Sequence, residues 1–330
     1  MQQKHNTQYF LKNWCIVNNT NKNMNKTIPS LFSVVIPAYN RANIIKRTID
    51  SVLSQTFKDY EIIIIDDGSS DNLKEICDNY NNTKIKYIYQ ENAGSNPARN
   101  NGIKNSCGTF ISFLDSDDAW DCEYLSEVYK KFKNDEQVGA VWVKHLKIYL
   151  PGGKKKFKKC KKLRGYVYKE VLKQGFLVNS SSITARRSLL NDIGGWDNNL
   201  KACQDDDICF RLAKQSKIDY VDKALSTFYI DDRIDRISGS SSRRAWNSFY
   251  LWKKHAEDVL LLCGEKELIK KIKSVYTRFF LISDLEGINQ CEQFLKENIK
   301  NSNFNIKAFR KNIYLSLLNV YLKLRKIIGK

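Results

Sequence analysis

Proline is nearly missing from this chain: there are four in 330 residues, beside two methionines and only three histidines, His5, His145 and His255. With 42% hydrophobic residues besides, the composition excludes collagen-like and disordered classes and fits a folded protein with a substantial core. No stretch approaches the roughly 18–20 apolar residues that cross a bilayer. The N-terminus lacks the basic, apolar and small-residue succession of a secretory signal, so the expected location is the cytoplasm. C-x-x-C pairs are absent too. The nine cysteines are odd in number and scattered through apolar segments, and they read as reduced core thiols, not disulfides or zinc ligands.

Cations, by contrast, are abundant. A formal charge of +19 makes the surface attractive to polyanions, whether nucleic acid, an anionic leaflet or a phosphorylated substrate. The length suits a main domain plus an appendage, because single cores rarely grow past roughly 250–300 residues. Residues 1–30, polar and Asn-rich around one apolar patch, are expected to form a loosely ordered leader. Residues 31–240 would form the main domain, divided at 137/138, and 241–330, rich in Leu, Ile and Lys with almost no glycine, a helical extension.

From residue 33 onward four short apolar runs, "SVVIPAYN", "YEIIIIDDGSSD", "KIKYIYQENAG" and "TFISFLDSDD", each end abruptly in polar or turn residues. Between them lie helical patterns such as "ANIIKRTIDSVLSQ", where Ile44, Ile45, Ile49, Val52 and Leu53 share a face. Strands alternating with helices at this pitch predict an α/β fold: right-handed βαβ units forming a mostly parallel sheet with helices on both faces. Ligands in such sheets sit beyond the carboxyl ends of the strands. Tyr39 and Asn40, Asp66 and Asp67, and Asp115 to Asp118 would all come to that edge.

Each cluster has its own chemistry. Asp115, Asp117, Asp118 and Asp121 crowd four carboxylates into seven positions, a repulsion that a hard divalent ion such as Mg2+ or Mn2+ would relieve. The Gly and closing Glu of a calcium loop are missing. In "IIIIDDGSSD" an Asx-type turn leads to a helix capped by Ser70 or Asp71. That cap needs one acceptor, and the spare aspartate can accept the imide N–H of a uracil ring. "QENAGSNPARNNGI" sets Arg99 at the start of a helix, and helix N-termini and arginine both suit a diphosphate.

"VVIPAYNR", "IIIIDDGSSD", "NAGSNPARNNGI" and "FISFLDSDDAW", in this order and spacing, resemble the nucleotide-binding half of family 2 glycosyltransferases with the GT-A fold. The resemblance covers roughly residues 33–240. It implies a nucleotide-sugar donor, usually a UDP-sugar, a divalent metal (Mn2+ or Mg2+), and transfer with inversion to a saccharide or lipid-linked acceptor in surface-glycan synthesis. It also implies residue roles. Pro37, Ala38 and Tyr39 would line the base, Asp67 would take its imide proton, and Arg99, Asp115 and Ser116 would hold the nucleotide. Asp117 would be the direct metal ligand, with Asp118 beside it.

Inversion needs a base, and a carboxylate is expected because the three histidines fall outside every motif. "GGWD" at 194–197 and "QDDDICFRL" at 204–212 resemble the family's acceptor loop and later acidic motif. Gln204 stands where Glu is common, which puts Asp205 on the base position with Asp206 and Asp207 as alternatives. Trp196, Asp197 and Asp206 would meet the acceptor. In "RIDRISGS", Asp235 replaces a histidine that reaches the metal in many relatives, and it could ligate through oxygen instead.

Two further segments are basic. "KKKFKKCKKLRG" (154–165) and the tail "FRKNIYLSLLNVYLKLRKIIGK" could contact an anionic membrane, placing the protein peripherally on the inner face of the cytoplasmic membrane. A nucleotidyltransferase would need a Gly-rich loop after the first strand, and "IPAYNRAN" has none. Nucleic acid is not expected as a partner either, since Phe157 is the only aromatic residue in the basic loop.

Overall fold

The computed structural model describes residues 30–157, 162–174, 178–231, 241–300 and 304–328. The expected leader, apart from Ser30, lies outside them, as do Asp235 and residues 158–161 of the basic loop.

The four apolar runs are β1 (Phe32–Ala38), β2 (Tyr60–Asp67), β3 (Ile85–Gln90) and β4 (Phe110–Phe113). They pair in parallel in the order β3-β2-β1-β4. Ile62 to Ile65 are all fully buried, since a strand covered on both faces needs no polar alternation. The crossovers carry α1 (Ile45–Leu53), α2 (Leu73–Asp78) and α3 (Ser95–Lys104). Helix α1 buries Ile45, Thr48, Ile49 and Val52. The polar member of that stripe is explained by its hydroxyl, 2.9 and 2.7 Å from the carbonyl oxygens of Ser116 and Asp118. Gly102 lets α3 approach β1 at backbone distance, because a Cβ there would lie 2.2 Å from a Val35 methyl.

Antiparallel pairing enters in the second half of the sheet. The remaining strands are β5 (Ala119–Trp120), β6 (Val138–Leu150), β7 (Lys154–Phe157), β8 (Ile183–Arg186) and β9 (Lys217–Asp231). Strand β8 runs antiparallel between β4 and β6; β9 is parallel to β6; β5 lies at the edge on β9, and β7 pairs with β6. The last β1–β4 pair is Val35 with Phe113, so Pro37, whose missing N–H would face β4, breaks no ladder. The sheet opens there, and the polar turns fill the opening.

Helices α4 (Tyr124–Asn134), α5 (Tyr168–Gln174), α6 (Arg187–Asp192) and α7 (Gln204–Gln215) cover the second half, with a 3-10 turn at Ser180–Ser182. The expected helical extension is α8 (Ser241–Lys254), α9 (Ala256–Cys263), α10 (Glu265–Leu281), α11 (Leu285–Asn298) and α12 (Ile306–Ile328). Among the described residues it has no separate core. One cluster runs from Phe113 on β4 through Phe210 on α7 to Trp252, Phe279 and Phe294. Among the described residues no helix is long and apolar enough to cross a membrane. The seven described cysteines are free thiols; Cys77, Cys209 and Cys291 are buried as expected, but Cys107 and Cys122 lie at the surface.

Candidate functional site

Three turns meet at the carboxyl ends of β1, β2 and β4, the crevice where open α/β sheets bind ligands. The Tyr39–Asn40 turn is tied to the turn after β2: Ser69 Oγ accepts from the Asn40 amide at 2.9 Å, and Asn40 Oδ1 accepts from the Ser70 amide at 2.8 Å. Pro37 and Ala38 are buried within β1, whereas Tyr39 is 48% exposed at the rim. Asp66 makes the Asx-type turn, accepting from the Ser69 amide at 2.8 Å and from the Tyr87 hydroxyl. Asp71 accepts from the Leu73 and Ala42 amides. Asp67 organises the next loop. Its Oδ1 accepts from Gln90 Nε2 (2.7 Å) and the Ala93 amide (2.9 Å), and its Oδ2 from the Gly94 amide (2.8 Å).

Protein groups seat the crowded carboxylates of Asp115, Asp118 and Asp121. Asp115 accepts from Arg99 Nη2 at 2.7 Å and from the Ser180 hydroxyl at 2.6 Å. Asp121 accepts from the Glu123 amide at the start of α4. Asp118 is fully buried and accepts from the Ser181 hydroxyl at 2.5 Å. Burial, then the neighbouring Asp117 and Asp115, push its pKa well above the usual carboxylate value. Asp117 is half-buried, and its carbonyl accepts from Arg47 Nη2 at 2.6 Å. Ser116 is buried, with its carbonyl turned toward Thr48.

Arg99 sits in the floor of the site, only 5% exposed. Beyond Asp115, it donates to Gln204 Oε1 at 2.8 Å and to Asn96 Oδ1 at 3.2 Å, and lies 3.4 Å from Ser180 Oγ. Its guanidinium carbon stands 4.6 Å from the centre of the Trp196 ring. Trp196, expected against an acceptor sugar, is 2% exposed, with the Arg99 guanidinium over its ring and Phe113 edge-on at 5.1 Å. That expectation is corrected: the indole is a core group that supports Arg99, because apolar area of this size is better buried than wet.

Gln204 opens α7, aimed by Cys203 in the left-handed region at φ +59°. The three acidic residues that follow have different surroundings. Asp205 is half-buried beside Arg99 and Asp115, and the Ser180 amide donates to it. Burial pushes its pKa up to about 7; Asp115 and Asp206 reinforce the rise, and Arg99 and the Ser180 amide oppose it. Asp206 is half-buried at the same turn. Asp207 is fully buried, with Arg211 at 2.7 Å, Lys254 at 2.8 Å and His255 at 3.0 Å. Burial alone would raise its pKa, yet His255, Arg211 and Lys254 outweigh that and hold it far below the usual range. Asp207 is therefore corrected from a base alternative to a structural anion, and His255 from an uninvolved histidine to its partner. Asp197 is likewise paired, with Lys254 at 2.6 Å and Tyr250 at 3.3 Å. Burial works against its charge, but Lys254 and the Asn199 amide keep its carboxyl below the usual range.

Among the described residues no three His, Cys, Asp or Glu side chains are grouped to hold a metal ion. The donor set still suits a hard divalent ion that brings most of its oxygens with it: Asp117 is half-buried, and Asp118 Oδ1 is enclosed with no hydrogen-bond partner. Asp235 lies outside the described residues. Sequence reasoning missed Ser180 and Ser181, whose hydroxyls seat Asp115 and Asp118, and Arg47, whose guanidinium stacks 3.7 Å over Tyr229. A run of serines before a short strand carries no signal of its own; only the tertiary fold turns those hydroxyls inward.

Comparison with known proteins bears on the same residues. A family model described as glycosyl transferase family 2 matches residues 33–194. An uncharacterized glycosyltransferase of Rickettsia conorii is 29% identical over 299 residues, covering 90% of this chain and 46% of the relative. The minor teichoic acid biosynthesis protein GgaA of Bacillus subtilis is 41% identical over 132 residues, 38% of this chain and 29% of that protein. Among solved structures, S. aureus TarS 1–349 in complex with UDP-GlcNAc has a TM-score of 0.56 at 17% identity, over 82% of this chain and 93% of that one. The chain thus spans less than half the length of these two curated relatives.

Proposed function

Residues 33–194 are a glycosyltransferase family 2 domain with the GT-A fold, and from that premise we propose that the chain transfers a sugar, with inversion, from a UDP-sugar to a saccharide or lipid-linked acceptor, Asp205 acting as general base. One observation carries the reading. A single network joins the turn after β4 to the start of α7: Arg99 holds Asp115 and Gln204, and Ser180 touches Asp115 through its hydroxyl and Asp205 through its amide. Donor-side and base-side carboxylates thereby share one crevice.

A base is most effective when its pKa lies near the working pH, and a carboxyl pushed up to about 7 meets that condition. In the proposed step Asp205 takes the proton of the acceptor hydroxyl as its oxygen bonds to the anomeric carbon. The bond from that carbon to the diphosphate oxygen breaks, and UDP leaves with the electron pair. A Mn2+ or Mg2+ ion held by Asp117 and Asp118 would supply neutralising charge for the diphosphate. Tyr39 offers an exposed ring to the uracil, and Asp67 Oδ2, which accepts from the Gly94 amide, keeps a lone pair for the imide N–H. Pro37 and Ala38 would support that subsite through backbone, and Arg99 would act through Asp115 and not by direct grip. Asp206, next to Asp205 in the first turn of α7, would meet the acceptor. The exposed Lys154, Lys155 and Lys156 favour contact with an anionic surface, such as the leaflet bearing a lipid-linked acceptor.

The test is UDP release from a panel of UDP-glucose, UDP-galactose and UDP-GlcNAc with Mn2+, beside calorimetric binding of UDP. Turnover with one donor and metal-dependent UDP binding that Asp117→Ala abolishes are the expected results. A folded protein that binds no UDP and turns over no donor would defeat the reading.

A further inference from the structure

The corner between α8 and α9 has no part in the proposed chemistry, yet it reaches toward the base. Lys254, the last residue of α8, places its Nζ 2.6 Å from Asp197 Oδ2 and 2.8 Å from Asp207 Oδ1. Asp197 belongs to the loop after Gly194 and Gly195; Asp207 lies two residues beyond Asp205 in the first turn of α7. The next residue, His255, donates from Nε2 to the same Asp207 oxygen at 3.0 Å. From within α7, Arg211 holds Asp207 Oδ2 through Nε at 2.8 Å and reaches back to the Ile193 and Gly195 carbonyls at 2.8 and 2.6 Å. From the other side of the loop, α3 holds it with Asn96 on the Asp197 and Leu200 carbonyls and Asn100 on the Trp196 backbone.

We infer that Lys254 is a positioning residue: one ammonium, delivered by the C-terminal helices, bridges the 194–200 loop to the first turn of α7 and so sets where the Asp205 carboxyl stands. This inference rests on the proposed glycosyl transfer for its consequence, though not for its geometry. Two anions, one of them fully buried, drawn to one ammonium at the surface are each held more firmly than by a neutral contact, since charge-assisted hydrogen bonds are about twice as strong as neutral ones. A base must be placed within a fraction of an ångström, and roughly 1 Å of misplacement can cost about a hundredfold in rate. Removing Lys254 need not unfold the chain: Asp207 would keep Arg211 and His255, and Asp197 would keep Tyr250 and the Asn199 amide.

The experiment uses the full chain with Lys254→Met, which keeps the length and loses the charge, and Lys254→Arg, which keeps it. Steady-state UDP release from the best donor of the panel is measured beside calorimetric UDP binding and hydrogen–deuterium exchange. Lys254→Met should lower kcat roughly ten- to a hundredfold while KM for the donor and Kd for UDP stay within about twofold, and Lys254→Arg should recover most of the rate. Exchange should rise together in 193–200 and 204–207 and stay unchanged in 92–104. Unchanged kcat, kcat and UDP affinity falling in parallel, or exchange rising only around 250–258, would each overturn the inference. Wild-type protein that releases no UDP from any donor would instead defeat the glycosyl-transfer reading, and the exchange result would still decide whether Lys254 joins the two segments.

Discussion

At the scale of residues, Asp205 answers to two opposing demands. A carboxyl pushed up to about 7 is a good proton acceptor near neutrality, but its charged form is disfavoured in the fold. Transfer should therefore rise with pH through about 7 and level off above it, in a rate profile measured at saturating donor. Asp205→Asn should keep UDP binding within about twofold and lose roughly 10²- to 10⁴-fold in transfer. The stability effect has the opposite sense to that of a paired carboxylate. With its folded pKa above the unfolded one, Asp205 favours folding at low pH, and that contribution is lost as pH rises through about 7. Asp205→Asn should accordingly melt above wild type at pH 8, with the gap closing toward pH 4, and a variant that melts lower at pH 8 would contradict the burial argument. The acidic run itself was plain in the sequence. What could not be read was which of its members is free to act, because Asp207 is silenced by Lys254 and His255, about fifty positions away.

At the scale of elements, legibility follows burial. Strands β1, β2 and β4 are covered on both faces, so they stand out as unbroken apolar runs, and α1 shows its stripe at helical spacing. Strand β9 did not announce itself: charged residues interrupt it, and register shifts opposite Val138–Ala140 and Val143–His145 of β6 break its alternation. Gly102 hides a packing demand inside a helical pattern, where glycine ordinarily costs stability. Replacing it with valine would improve helix propensity only slightly and would drive new methyl groups into Val35, already 2.2 Å from the position of a Cβ. Gly102→Val should lower stability by about 1–3 kcal/mol, seen as a fall in the urea midpoint with an unchanged slope. An unchanged midpoint would mean that α3 can move off β1 freely, which its asparagine bonds to the 196–200 loop make unexpected.

At the scale of the whole molecule, the boundary expected at residue 240 follows composition but not the core. The helical character after 241 was readable from its Leu, Ile and Lys content; its dependence on α7 was not, because an amphipathic stripe does not name the surface that covers it. Phe210 packs with its ring centre 5.6 Å from Trp252 and 5.2 Å from His255, and Tyr168 on α5 donates to Asp258 on α9. A chain ending at 240 would expose Phe210 and leave buried Asp207 with Arg211 alone of its three described side-chain partners. Burying a large apolar side chain contributes about 1.5–3 kcal/mol, and a whole domain is stable by only about 5–15 kcal/mol. Losing several such contacts together should remove cooperative folding. Residues 1–240 expressed alone should show no sharp thermal transition by circular dichroism and should bind a dye for exposed apolar surface, whereas a cooperative melt within a few degrees of the full chain would establish 31–240 as a domain that stands by itself.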